Sequence, residues 1–83
     1  MQNDNSFRFK YIDMKDFVKG DKKYVRIITY CSFGYIVNLF TTPEKALKLN
    51  DIIQKDKNYD ISQYINVFYD NKSDKFAYII NIK

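Results

Sequence analysis

The sequence predicts a small, mainly β (α+β) domain. Five antiparallel strands run in the order strand, strand, strand, helix, strand, strand, closed into a barrel or curled as a sheet. Three observations predict it. Short runs dominated by β-branched and aromatic residues are separated by polar, turn-forming segments. One stretch, beginning at Thr42, sets apolar residues at helical spacing behind a group of helix-start signals. With 46% hydrophobic and 29% charged residues but only 2 Gly and 1 Pro, the chain has the composition of a folded protein, not of a disordered or low-complexity one. A length of 83 residues holds one core, so residues 1–83 read as a single domain with a polar lead at 1–6.

Taken in order, Phe7 to Ile12 alternates apolar and basic residues with period two and predicts a first strand with one buried face. Asp13 to Lys23 carries Lys15, Lys19, Lys22, Lys23, Asp13, Asp16 and Asp21 around Gly20, and this charge predicts a loop. Tyr24–Cys31 and Tyr35–Thr41 form a hairpin about Ser32-Phe33-Gly34. In its first strand Val25 and Ile27 share the core face, while Tyr24, Arg26, Ile28 and Tyr30 share the other. Thr42-Pro43-Glu44 supplies a hydroxyl N-cap, proline at the first helical position and an acid in the first turn, so a helix is predicted over 43–54. Ala46, Leu49, Ile52 and Ile53 give that helix the face that covers a sheet. Ile61–Tyr69 and Lys75–Ile82 complete the strands around a turn bracketed by Asp70 and Asp74, whose carboxylates are expected to bond the local backbone.

Enzyme chemistry has little to draw on. The chain has no His, a single Cys, no glycine-rich phosphate loop and no nucleophile elbow, so no catalytic residue, metal site or cofactor is expected. Cys31 lies in an apolar run and cannot form an internal disulfide, which predicts a buried free thiol and a reducing cytoplasmic setting. No run approaches the ~18 apolar residues of a membrane span, and residues 1–6 lack the pattern of a signal peptide, so a soluble, cytoplasmic protein is expected.

Binding is the class that the composition favours. The chain holds 8 Tyr, 7 Phe and no Trp, with a formal net charge of +4. Rings stack on bases and cations neutralise phosphates, which suits an unpaired nucleic-acid strand. Taken singly, each ring is also accounted for by strand formation and core packing, and AT-rich codons enrich the same residues. The pattern is what points to binding: Tyr24, Arg26, Tyr30, Asn38 and Phe40 fall on one face of the hairpin, flanked by Lys22, Lys23 and Lys72.

This order of strands and helix resembles the OB fold. The chain is similar over nearly its whole length to the compact single-stranded-DNA-binding proteins of phages and plasmids of Gram-positive, low-GC bacteria. The resemblance implies a small basic cytoplasmic protein on a five-stranded OB-like barrel. Its partner would be single-stranded DNA or RNA, with oligomers possible, and it would read sequence weakly. It is a resemblance of pattern, so no family residue is carried over. The competing expectation is a small mobile-element accessory protein that binds, and inhibits, a host or phage protein through an exposed strand edge or aromatic patch.

Overall fold

Strands β1 (Phe9–Lys19), β2 (Lys22–Cys31) and β3 (Ile36–Thr41) form an antiparallel sheet in that spatial order. Helix α1 (Pro43–Asp56) follows, then a 3₁₀ turn at Ser62–Tyr64, and then a second sheet of β4 (Ile65–Asp70) and β5 (Lys75–Ile80). The structure is a computed structural model and describes residues 7–82, so the polar lead at 1–6 lies outside the described residues.

The expected element order is found, but the barrel is not closed. Among the described residues no hydrogen-bonded ladder joins the two sheets. They approach at two places. β3 runs beside β5, and Lys10 bridges Asp60 where Tyr11 N–H donates to the Tyr59 carbonyl (2.6 Å) and Ile61 N–H to that of Phe9 (3.0 Å). A polar clasp fixes this second junction: Phe9 N–H donates to Ser62 Oγ (2.7 Å), and Ser62 donates in turn from Oγ (2.7 Å) and N–H (3.1 Å) to Asp60 Oδ1. The Ser62 hydroxyl holds the Asp60 carboxyl below its ordinary value of 3.8.

The expected loop at 13–23 is corrected. β1 continues to Lys19 and β2 starts at Lys22, leaving Gly20 and Asp21 as the whole connection. Gly20 has φ +62° while Asp21 does not, the φ pattern of a type II′ hairpin turn. The charges that read as a loop are borne by an edge strand, which tolerates lysine because one side and one face meet water. A bulge at Ile12 also breaks the period: Phe9 and Tyr11 oppose Cys31 and Thr29, then Met14 opposes Ile27, so the core face resumes one residue late. At the other end β4 begins at Ile65, not Ile61, because Ser62–Tyr64 coils, and β5 ends at Ile80.

The core lies between the three-stranded sheet, α1 and the inner face of the second sheet. Val25, Ile27 and Leu39 are buried from below, Ala46, Leu49 and Ile53 from the helix, and Ile61, Ile65, Ile80 and Ile82 from the C-terminal part. The expected parity of β2 holds, and so does the covering face of α1, although Ile52 is only half-buried. Thr42 caps the helix as expected, its Oγ1 accepting from Lys45 N–H (3.3 Å), and the helix runs two residues past the expected end to a left-handed Lys57. Cys31 is a free thiol buried in this core. Among the described residues no helix is long and apolar enough to cross a membrane.

Candidate functional site

The face of the three-stranded sheet that points away from the core carries most of the expected residues. Directly opposed residues of an antiparallel pair share a face, so the register assigns them. Tyr24 lies opposite Phe17, Arg26 opposite Lys15 and Phe40, Ile28 opposite Asp13 and Asn38, and Tyr30 opposite Lys10 and Ile36. Lys22 opposes Lys19 beside the turn on this same face. Tyr24, Arg26, Tyr30, Asn38, Phe40 and Lys22 are therefore brought together.

Two expected residues are not. Lys23 has the parity of Val25 and points to the core side, at the hairpin end. Lys72 sits in the turn of the second sheet, which pairs with none of the strands that carry the rest. That turn is built locally: Asp70 Oδ1 accepts from Lys72 N–H (3.1 Å) and Oδ2 from the Ser73 hydroxyl (3.0 Å), and Asp74 takes a left-handed φ of 56°, the local role expected of Asp70.

The centre of the outer face is a ring pair that sequence reading did not anticipate. Phe17 of β1 and Phe40 of β3 meet with centroids 5.1 Å apart at an interplanar angle of 55°. Their strands flank β2 at about 4.8 Å on either side, so the rings lean inward over the stretch between Tyr24 and Arg26. This roof accounts for the Arg26 Nε, which is shielded from water and has no hydrogen-bond partner. Beside it Phe17, Lys19, Tyr24 and Phe40 line an open concavity of about 280 Å³. Phe17 lies in the segment whose charges predict a loop, so the sequence alone does not place it on this face. The signal was the near-mirror of Phe17 and Tyr24 about Gly20-Asp21.

The electrostatics are one-sided. Lys10, Lys15, Lys19, Lys22 and Arg26 share the face with two acids: Asp13, whose Oδ1 is engaged by Met14 N–H (2.8 Å), and Asp60, opposite Lys10, whose Oδ1 accepts from the Ser62 hydroxyl (2.7 Å). Among the described residues the only ion pair is Lys55–Asp51 on the exposed side of α1, so these five cations form no ion pair there. Such a surface can stack planar rings and neutralise several anionic groups at once. No group of three His, Cys, Asp or Glu side chains that could hold a metal occurs among the described residues.

A second aromatic surface lies at the rim, where the inner faces run past the core. Tyr35, Phe33, Phe7, Phe76 and Tyr69 form a continuous row with centroid separations of 6.5, 5.3, 5.4 and 5.6 Å. Four of these rings are about half exposed. The row draws on three separate parts of the chain, and no local pattern announces it. Compared with known proteins, the chain matches no family model, no curated protein and no solved structure.

Proposed function

We propose that this chain is a non-enzymatic, cytoplasmic module that binds single-stranded nucleic acid on the outer face of β1–β3. One observation carries the reading: four rings, Phe17, Tyr24, Tyr30 and Phe40, share a single sheet face with five cations that form no ion pair among the described residues. Unpaired bases stack on the rings, the lysines follow the phosphates, and the Asn38 amide hydrogen-bonds base edges without enforcing a sequence. A duplex hides its base faces and is bound through charge alone.

The strand circuit supports an OB-like reading of the fold. It runs β1, β2, β3, then β5 beside β3, then β4, and the segment just before β4 meets β1 through the Lys10–Asp60 bridge, with the helix between the third and fourth strands. The experiment is a titration of the folded protein against fluorescent oligo-dT, the matching RNA and duplex DNA at low and moderate salt. Preference for the single strands, weakening with salt, supports the reading. Absence of binding at about 50 mM salt ends it.

The rim row favours a second reading, a small accessory protein of a mobile element that grips another protein. Half-exposed contiguous rings at the mouth of a core are the kind of surface that buries against a partner. Phe33→Ala with Phe76→Ala separates the two readings, since it spares the outer face.

A further inference from the structure

Beyond Ile12 the free side of β1 has no partner strand among the described residues. The turn decides which groups that edge offers. A two-residue loop makes its flanking residues, Lys19 and Lys22, a hydrogen-bonded pair, and along a strand successive residues turn their N–H and C=O to opposite sides. Asp13, Lys15, Phe17 and Lys19 therefore bond β2, and Met14, Asp16 and Val18 face outward. An independent contact agrees: Met14 N–H is taken by Asp13 Oδ1, not by β2. The edge thus presents the Met14 carbonyl and both backbone groups of Asp16 and Val18.

Side chains frame this edge on both faces. On the core side a groove of about 310 Å³ runs between β1 and α1, lined by Met14, Asp16, Val25, Pro43, Ala46 and Leu47 and bordered also by Lys15 and Asn50. Leu47 is 70% exposed and Val18 62%, so apolar surface lies open beside unpaired backbone. On the other face Lys15 and Lys19 stand either side of Phe17.

We propose that this edge and groove take up an extended peptide as an added strand, one in which acidic residues alternate with apolar ones. Its backbone pairs with Asp16 and Val18. Every second side chain enters the groove against Met14 and Leu47, and those between meet Lys15 and Lys19, where carboxylates match the charge. The site shares Lys15 and Lys19 with the outer-face surface but differs from it in the backbone edge and the groove, because a nucleic acid has no row of donors and acceptors at strand spacing. A second copy of the chain fits poorly: the self-pairing that uses all three outward residues sets Met14 against Val18 and places Asp16 against Asp16 on the twofold axis.

The test uses a dye-labelled, end-capped peptide of alternating Glu and Val, about eight residues long to span Asp13–Lys19 at ~3.3 Å per residue. Fluorescence anisotropy is read with the wild type, Val18→Pro, Leu47→Asp and the pair Lys15→Glu with Lys19→Glu, each checked for folding by thermal melting. Val18→Pro deletes an outward N–H and leaves the β1–β2 ladder whole, so affinity falls about tenfold or more while oligo-dT affinity is unchanged. Leu47→Asp, on exposed helix surface, weakens the same peptide without risk to the core. The charge-reversed pair loses the Glu peptide and gains one with Lys at those positions. Amide exchange at Asp16 and Val18 slows when the wild type is loaded. The proposal is overturned if the peptide does not bind the folded wild type or binds Val18→Pro as well as the wild type, which makes it a mere polyanion on the basic face. It is equally overturned if the protein is already a dimer with both amides protected.

Discussion

Phe40→Ala removes one ring of the pair that closes over Arg26, and its two consequences are separable. Phe40 is 51% exposed, so roughly half of its surface is buried against the sheet. Half of the ~1.5–3 kcal/mol for burying such a side chain, plus ~0.5–1.5 for the ring pair with Phe17, gives a stability cost of about 1–3 kcal/mol. On the proposed function the exposed half is a stacking platform, and its loss should cost about 1–3 kcal/mol of affinity, a 5- to 150-fold weaker Kd for oligo-dT. The salt dependence answers to different atoms. Five cations on this face cap the slope of log affinity against log salt near 3.5, at about 0.7 per phosphate. Phe40→Ala leaves that slope unchanged, and Arg26→Gln lowers it by about 0.7. Urea melts give the stability, and anisotropy titrations at four salt concentrations give affinity and slope. If Phe40→Ala binds oligo-dT like the wild type while losing stability, the ring is only structural and the outer-face reading is refuted.

Three further outcomes follow from the packing. Leu49→Ala, at a position with no exposure, should cost about 2–5 kcal/mol in a urea melt, while Leu47→Ala on the same helix costs under ~0.5 and neither changes oligo-dT affinity in the folded protein. Folding lowers the Asp60 pKa, so the folded state holds fewer protons there, and this stability is present above the ordinary value of 3.8 and lost as pH falls through the folded value. Ser62→Ala removes the main cause, and its melts should depend less on pH below about 5 than those of the wild type; an equally steep acid limb would count against the clasp. Gly20→Ala meets no atom within 4 Å but must hold φ +62°, so it should cost about 1 kcal/mol from backbone strain, and no loss would mean the turn is of another type.

The sequence was most legible where one neighbouring element decides the pattern. Thr42-Pro43-Glu44 fixes the start of α1 because cap chemistry is local, and the alternation of Tyr24 to Tyr30 reveals its parity because β2 is the middle strand with one face fully buried. β1 was half hidden. Its second half faces solvent on one edge and one face, so Lys15 and Lys19 cost nothing there, and the bulge at Ile12 shifts Met14 out of phase with Phe9 and Tyr11. Six of the eight expected site residues share one face because they sit on adjacent strands with a simple register. Lys72 does not, since its position depends on how two sheets meet. The rim row of Phe7, Phe33 and Phe76 depends on that same meeting, which no spacing in the chain encodes.

Cys31 gives the molecule a built-in clock. It is the one thiol of the chain, it is 1% exposed, and it lies where Phe9 of β1 faces it across the ladder and Tyr35 receives its N–H. A thiol reagent reaches it only when β1, β2 and the β2–β3 connection separate. The rate of labelling under native conditions therefore counts the openings of the half of the protein that bears the outer face, with no dye or mutation to disturb it. A ligand on that face slows labelling by its own occupancy, so the same sulfur that reports opening also weighs candidate ligands in solution.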